Sequence, residues 1–423
     1  MFSKILFTFV SRFLSSVLAF LIVVITAKLI GAEGRGVISL IVLGTAITLL
    51  VNNIVGGNAI VLLTPKVEPV KLLIPSYLWA FISCALVTFI LHLSELTPPE
   101  YSIHIFFISL LQSIGSIHLS VFLGRQKIRL YNMMTVLQVV VLFAVITYLY
   151  LFQGEKDVMS YIVALYISFA IQALITSWFI SKEISSTPLS GMKQVLRMIL
   201  ANGLIIQLCN VIQILNYRLS YFFLEEHHGL VALGVFSTAS IVAESVWLIS
   251  RSIALVQYAG IVNSDDPDYN KRVTVRLAKL SAITSMLAWV PLLMLPPAFY
   301  SFLFGEEFRN IGGQLWWYAP GIMALAFSTV FGHYFAGLGM NRINLYGTLT
   351  GFAVTLAASW LLIPEYGING AAMSVSLAYC IHAVYLFFIY KKHTNLIISE
   401  LIPTREDLNF VWKELKLIIR KQD

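Results

Sequence analysis

Residues 5–30, ILFTFVSRFLSSVLAFLIVVITAKLI, hold only two charges, Arg12 and Lys28, in an otherwise apolar run. About 20 such residues cross the hydrocarbon core as a helix. The run is continuous rather than alternating, which favours a helix over a barrel strand. It is too long for a signal peptide, and no small-residue cleavage site ends it, so it reads as a retained first helix.

The rest of the 423-residue chain is built the same way. Hydrophobic residues make up 58% and charged residues 12%, against about 25% charged in soluble domains; the mean hydropathy is +0.84. A chain this apolar needs lipid as its solvent. The net charge of +7 comes from short clusters between apolar runs rather than from a basic face, which argues against nucleic acid. Cys84, Cys209 and Cys380 all lie in apolar runs with no metal or disulfide spacing. No Gly-x4-Gly-Lys-Ser/Thr string occurs, so the chain does not hydrolyse ATP by itself. Nothing calls for a cofactor, a metal or a catalytic residue.

Twelve runs are long enough to span: 5–30, 37–63, 72–93, 103–123, 133–152, 158–180, 199–224, 230–258, 278–304, 314–337, 343–363 and 368–390. With the N-terminus in the cytoplasm, inner segments hold 21 Lys and Arg, and outer loops hold three, Arg35, Lys156 and Arg309. Four more, Arg12, Lys28, Arg218 and Arg251, fall inside spans. That bias sets the orientation, with both termini cytoplasmic.

The chain also repeats itself. Residues 113–139 and 328–354, offset by 215, share nine identities, among them His118/His333 and Gly124/Gly339. A second match, offset by 198, pairs Gly36-Val37-Ile38-Ser39 with Gly234-Val235-Phe236-Ser237. The change of offset fits a longer connection at 259–277 than at 64–71. Spans 1–6 then correspond to spans 7–12. The expected fold is an all-α integral membrane protein of about 12 transmembrane helices. They form two six-helix bundles with pseudo-two-fold symmetry about the membrane normal, and a cavity lies between the halves. Residues 1–180 form the N-terminal lobe, 181–198 a cytoplasmic linker, 199–390 the C-terminal lobe and 391–423 a cytoplasmic tail. In that tail, 404–421 reads as an amphipathic helix lying on the leaflet or packed on the protein's own loops.

Ionisable side chains inside spans are costly and need a reason. Arg12, Lys28, Arg218 and Arg251 against a single acid, Glu244, make a cationic interior suited to an anionic ligand such as a pyrophosphate. Arg12 and Lys28 also fit snorkelling to the headgroups. Gln207, Asn210 and Gln213 give span 7 a polar side beside Arg218, which suits a cavity lining. Asn52 and Asn53 begin NNIVGGN at 52–58, where Asn and Gly point to an irregular helix facing protein or water. Glu244 is the ion-coupling candidate and, alternatively, a structural partner for an Arg of span 7 or 8.

Three strings carry a family resemblance. AKLIGAEGRGVISLI at 27–41, NYRLSYFFL at 216–224 with GVFSTASIVAESVWLISRSI at 234–253, and PEYGINGAAMSVSLAY at 364–379 resemble polysaccharide-lipid flippases of the O-antigen (Wzx-like) type. That type belongs to the multidrug/oligosaccharidyl-lipid/polysaccharide exporter superfamily. Lys28, Gly31, Glu33, Gly36, Arg218 and Glu244 match the pattern; Ala32 replaces a usual Pro, and Ser220 stands where Asp is frequent. The resemblance implies two six-helix bundles around a central cavity. It implies a substrate, oligosaccharide on undecaprenyl pyrophosphate (an O-antigen or capsule repeat unit of lipopolysaccharide or polysaccharide biosynthesis). It implies alternating access in a bacterial inner (plasma) membrane, with H+ or Na+ as coupling ion in an antiporter. Membrane lipids, a polymerase and a chain-length regulator are the partners it suggests.

Three other functions compete. A major-facilitator transporter shares the 6+6 plan, but TPKVEPVK at 64–71 lacks the Gly…Asp-Arg…Gly-Arg pattern usual in its span 2–3 loop. A drug or cation exporter of the same superfamily favours an acidic cavity, which a single Glu244 does not supply. A membrane glycan polymerase needs a catalytic outer segment, and every outer loop here reads as about ten residues or fewer.

Overall fold

The computed structural model describes residues 2–65, 67–182, 192–262, 264 and 266–402. The amphipathic segment 404–421 and half of the linker expected at 181–198, residues 183–191, lie outside these residues.

The described chain is helical. In order it comprises α1 (Phe2–Gly56), α2 (Asn58–Leu63), α3 (Pro69–Leu93), α4 (Ser102–Gly124), α5 (Ile128–Tyr148) and α6 (Val158–Ser181). Then come α7 (Met192–Val262), α8 (Pro267–Met294), α9 (Pro297–Phe304), α10 (Ile311–Gly337) and α11 (Asn341–Thr394). Helices suit lipid because each closes its own backbone hydrogen bonds. Among the described residues nine helices are long and apolar enough to cross a membrane. Three of them, α1, α7 and α11, are broken by non-helical backbone at Gly31, Gly229 and Gly367. Counting each broken helix as two limbs gives the twelve spans expected. Large apolar side chains such as Leu78, Phe89, Leu174 and Trp360 stay exposed, which suits hydrocarbon and not water.

The chain divides into two compact units. The first is Met1–Ile214 with Gly229–Val235 and Leu303–Glu307; the second is Leu215–His228, Phe236–Phe302 and Phe308–Asp423. In the first, α1, α4, α5 and α6 pack around Ile38, Ile41, Ile105, Ile146 and Ile162, all fully buried or nearly so. Residues Gly36 and Gly234 of this unit sit so close to the backbone carbonyls of Leu230 and Ala32 that a Cβ at either would collide. In the second unit, α8, α10 and α11 enclose Phe331, Phe335, Leu386 and Tyr390.

The structure corrects the repeat in detail. Offset 198 holds through the start of the third span: Pro69 and Pro267 both occupy a first helical turn, after Glu68 and Asp266. At the corner after α4 and α10, however, the matching bonds are Lys127 N–H to Phe122 O and Met340 N–H to Phe335 O, each 2.8 Å. Gln126 and Gly339 are both left-handed there, at φ 58 and φ 74. These pairs are 213 residues apart, not 215, so His118 and His333 are not counterparts. The extra residues lie between α8 and α10, not at 259–277. The ninth span also ends at Met294 rather than 304. Leu295 is extended (ψ 132) because it precedes Pro296, and a residue before proline leaves the helical region. Residues 295–310 therefore form a connection longer than the ten residues or fewer expected of an outer loop, carrying α9.

Candidate functional site

The break at Gly229 turns α7 back on itself. Arg218 lies 11 residues before it and Glu244 15 residues after it, about 16 and 22 Å along the two limbs at 1.5 Å per residue. They meet. Arg218 Nη1 donates to Glu244 Oε1 at 2.6 Å and Nη2 to Oε2 at 2.9 Å. The fork is bidentate, the strongest geometry an arginine and a carboxylate can make. Tyr221 lies 5.2 Å below the guanidinium. The Tyr221 ring meets Phe236 edge-on at 5.6 Å, and Phe236 stacks on Tyr318 at 5.9 Å. Ser240 and the Tyr318 hydroxyl are hydrogen-bonded at 2.7 Å. On the same limb as Arg218, the Asn216 side-chain carbonyl accepts from Thr355 of α11. The pair is thus fixed by aromatic and hydroxyl groups from α7 and α10.

One to two turns further along the second limb a different cluster forms. Arg251 is exposed, and its guanidinium lies 4.6 Å from the Trp247 ring centre. Trp247 Nε1 donates to Thr329 Oγ1 at 2.8 Å, and Thr329 Oγ1 donates to Leu325 O at 2.6 Å. His333 Nδ1 donates to Thr329 O at 2.8 Å, with Tyr258 edge-on to the His333 ring.

The remaining candidates lie in the first unit. Arg12 and Lys28 are exposed on the first limb of α1. Asn52 is fully buried, and neither atom of its amide has a hydrogen-bond partner. Asn53 is half-buried, with Ser116 donating to its Oδ1 at 3.5 Å. The helix breaks just beyond, at Gly57, and restarts at Asn58. Gln207 is buried and accepts from Asn210 at 3.0 Å; Asn210 and Gln213 are exposed.

Sequence reasoning missed three features. Arg35, counted with the outer loops, is only 6% exposed, because the helix resumes right after Gly31 and carries Arg35 into the protein. His118 is buried between the Tyr77 hydroxyl (2.5 Å at Nε2) and Thr176 Oγ1 (2.8 Å at Nδ1). Trp247 orients Arg251; the i, i+4 spacing of an aromatic and an arginine was the available signal. Among the described residues no three His, Cys, Asp or Glu come together as a metal site.

No protein-family profile matches the chain. It is 24% identical over 181 residues to the capsular polysaccharide biosynthesis protein CapF of Staphylococcus aureus, covering 42% of this chain and 46% of that protein. The match thus spans about half of that relative's length. Among solved structures, the lipid II flippase MurJ in an inward closed conformation matches with a TM-score of 0.75 at 13% identity, over 94% of this chain and 89% of MurJ. An inward-facing multidrug resistance MATE family transporter matches at 0.70 and 13%, over 90% and 94%. A Pyrococcus furiosus MOP superfamily transporter, described as having a binding pocket of reversed polarity, matches at 0.60 and 12%, over 95% of each chain. The chain has the MOP superfamily transporter fold, as a multi-pass, all-helical membrane protein. The solved proteins sharing it are transporters rather than enzymes.

Proposed function

We propose that the chain is a flippase for undecaprenyl-pyrophosphate-linked oligosaccharide, an O-antigen or capsule repeat unit. It moves this substrate from the inner to the outer leaflet by alternating access, driven by an ion gradient. Its place is the bacterial inner membrane with both termini in the cytoplasm. The capsule-biosynthesis relative and the lipid II flippase of the same fold support the substrate class.

The observation that carries the reading is charge bookkeeping within the spans. Glu244, the only acid inside the twelve spans as read, is already bound by Arg218, while Arg12 and Arg251, also inside the spans as read, are exposed cations. A pyrophosphate entering a low-dielectric path loses its hydration, and fixed guanidinium groups must replace it. A cationic drug meets repulsion there instead, which disfavours the exporter reading.

Complementation of surface glycan in a flippase-null bacterium tests this, with membrane protein level measured alongside. Arg218→Ala is expected to abolish surface glycan and Arg218→Lys to retain part of it, since lysine offers one point charge in place of a fork. Normal glycan from Arg218→Ala at normal protein level removes the basic-path mechanism.

A further inference from the structure

The two arginines of α7 are in opposite states. The Nη1–Nη2 edge of Arg218 is spent on the Glu244 carboxylate, at 2.6 and 2.9 Å. Arg251 has no carboxylate partner among the described residues, is exposed, and holds its guanidinium carbon over the Trp247 ring. Stacking uses the face of a guanidinium and leaves its N–H donors, which point outward in the plane, available to an acceptor. The platform is itself held, since Trp247 cannot turn without breaking its bond to Thr329. Ordering Arg251 in advance removes part of the entropy that capturing a ligand costs.

Depth separates them too. Arg251 lies 22 residues beyond Gly229, about 33 Å along the limb. The hydrocarbon core is about 30 Å thick, so with the cytoplasmic N-terminus Arg251 reaches the inner headgroup level, while Arg218 and Glu244 sit in the middle. The pyrophosphate of a lipid-linked sugar lies at that same inner headgroup level before it crosses.

We propose that Arg251, laid on the Trp247 ring that Thr329 holds, is the entry seat for the substrate's pyrophosphate, with Trp247 and Thr329 as positioning residues. Arg218 then acts later along the path, once Glu244 has released it. This rests on the flippase reading and names the residues that make first contact.

The test is binding of farnesyl pyrophosphate to the purified full chain in nanodiscs, read by native mass spectrometry. Farnesyl monophosphate, phosphatidylglycerol and inorganic pyrophosphate serve as comparison ligands, and a thermal-unfolding scan accompanies each variant. Arg251→Gln is expected to weaken farnesyl pyrophosphate about tenfold or more, and Arg251→Lys less, as a lost bidentate charged contact implies. Trp247→Phe keeps a ring face and is expected to bind close to wild type. Trp247→Leu and Thr329→Val, which remove the platform or its tether, should weaken binding several-fold while monophosphate binding changes little. If Trp247→Leu does not fold, Thr329→Val carries the positioning test alone. Wild-type affinity in Arg251→Gln, with wild type itself binding, overturns this seat and leaves the flippase reading in place. Equal loss of phosphatidylglycerol and pyrophosphate makes Arg251 a phospholipid contact and also overturns it. Inorganic pyrophosphate binding as tightly as the farnesyl form assigns the site to a free diphosphate and overturns the lipid assignment. Failure of wild type to bind any isoprenyl pyrophosphate overturns both readings.

Discussion

Gly31 and Gly229 hold the same backbone conformation, φ 73 and ψ −176 against φ 76 and ψ −179, at the breaks of α1 and α7. That region is open essentially to glycine alone, and a side chain there costs about 1–3 kcal/mol. Their surroundings differ. A Cβ on Gly31 lands 2.9 Å from Glu307 Oε2, whereas one on Gly229 meets nothing within 4 Å. Glu307 Oε2 also accepts the Ala32 N–H at 2.5 Å. Gly31→Ala is therefore expected to destabilise more than Gly229→Ala, because it adds displacement of Glu307 to the shared backbone strain. Thermal unfolding of the two variants in detergent checks the order; equal shifts count against a role for Glu307.

The Arg218–Glu244 pair predicts a non-additive double-mutant cycle. Losing one partner leaves the other charge poorly solvated; charged hydrogen bonds of this kind are worth about 1.5–3 kcal/mol. The side chains are 24% and 22% exposed, so solvent screening places the cost toward the lower end. Arg218→Ala and Glu244→Ala should each lower the unfolding midpoint, and the double variant should lower it by less than their sum. Additive shifts indicate that the pair contributes nothing as a pair.

Glu244 and a phosphate compete for one guanidinium fork. Glu244→Gln, which weakens the hold on that fork, is expected to bind pyrophosphate more tightly than wild type and to transport with weaker dependence on the ion gradient. Full gradient-dependent transport by Glu244→Gln points to a structural role for the pair.

At the end of the described chain, Glu400 Oε1 accepts from the Ile397 N–H at 2.9 Å and from Lys271 Nζ at 3.0 Å. The Ile397 N–H, and then Lys271, hold its carboxyl below the usual glutamate range. A carboxyl with a lowered folded-state value stabilises above its ordinary range, near 4.3. That stabilisation is lost as pH falls from there through the lowered value. Backbone amide exchange over 395–402, corrected for its intrinsic pH dependence, should therefore show protection lost as pH falls below the ordinary carboxylate range. Glu400→Gln should lack that protection already at neutral pH, and protection unchanged by both shows that the Glu400 contacts do not hold this segment.

Reporter fusions at residues 1 and 423 are both expected to report the cytoplasm. The 21-to-3 count motivates this, and the bias strengthens once buried Arg35 is removed from the outer loops. An outer signal at either end breaks the twelve-span reading.

The sequence alone determined the all-helical membrane class, because a hydrocarbon solvent leaves each segment few options: about twenty apolar residues have to close their own backbone bonds. It also located Arg218, Glu244 and Arg251, since charges in lipid stand out by rarity. Tertiary structure decided the rest. That Glu244 takes Arg218, while Arg251 is left on Trp247, depends on the turn at Gly229 and on where α10 sets Tyr318 and Thr329; one-dimensional spacing leaves those pairings open. Register between the repeats needed the backbone as well, because two residues of slip at the Gln126 and Gly339 corners keep every apolar run apolar. Arg35 read as a loop cation for a similar reason: the break at Gly31 takes a single residue, and only the fold shows that the helix resumes and buries the charge.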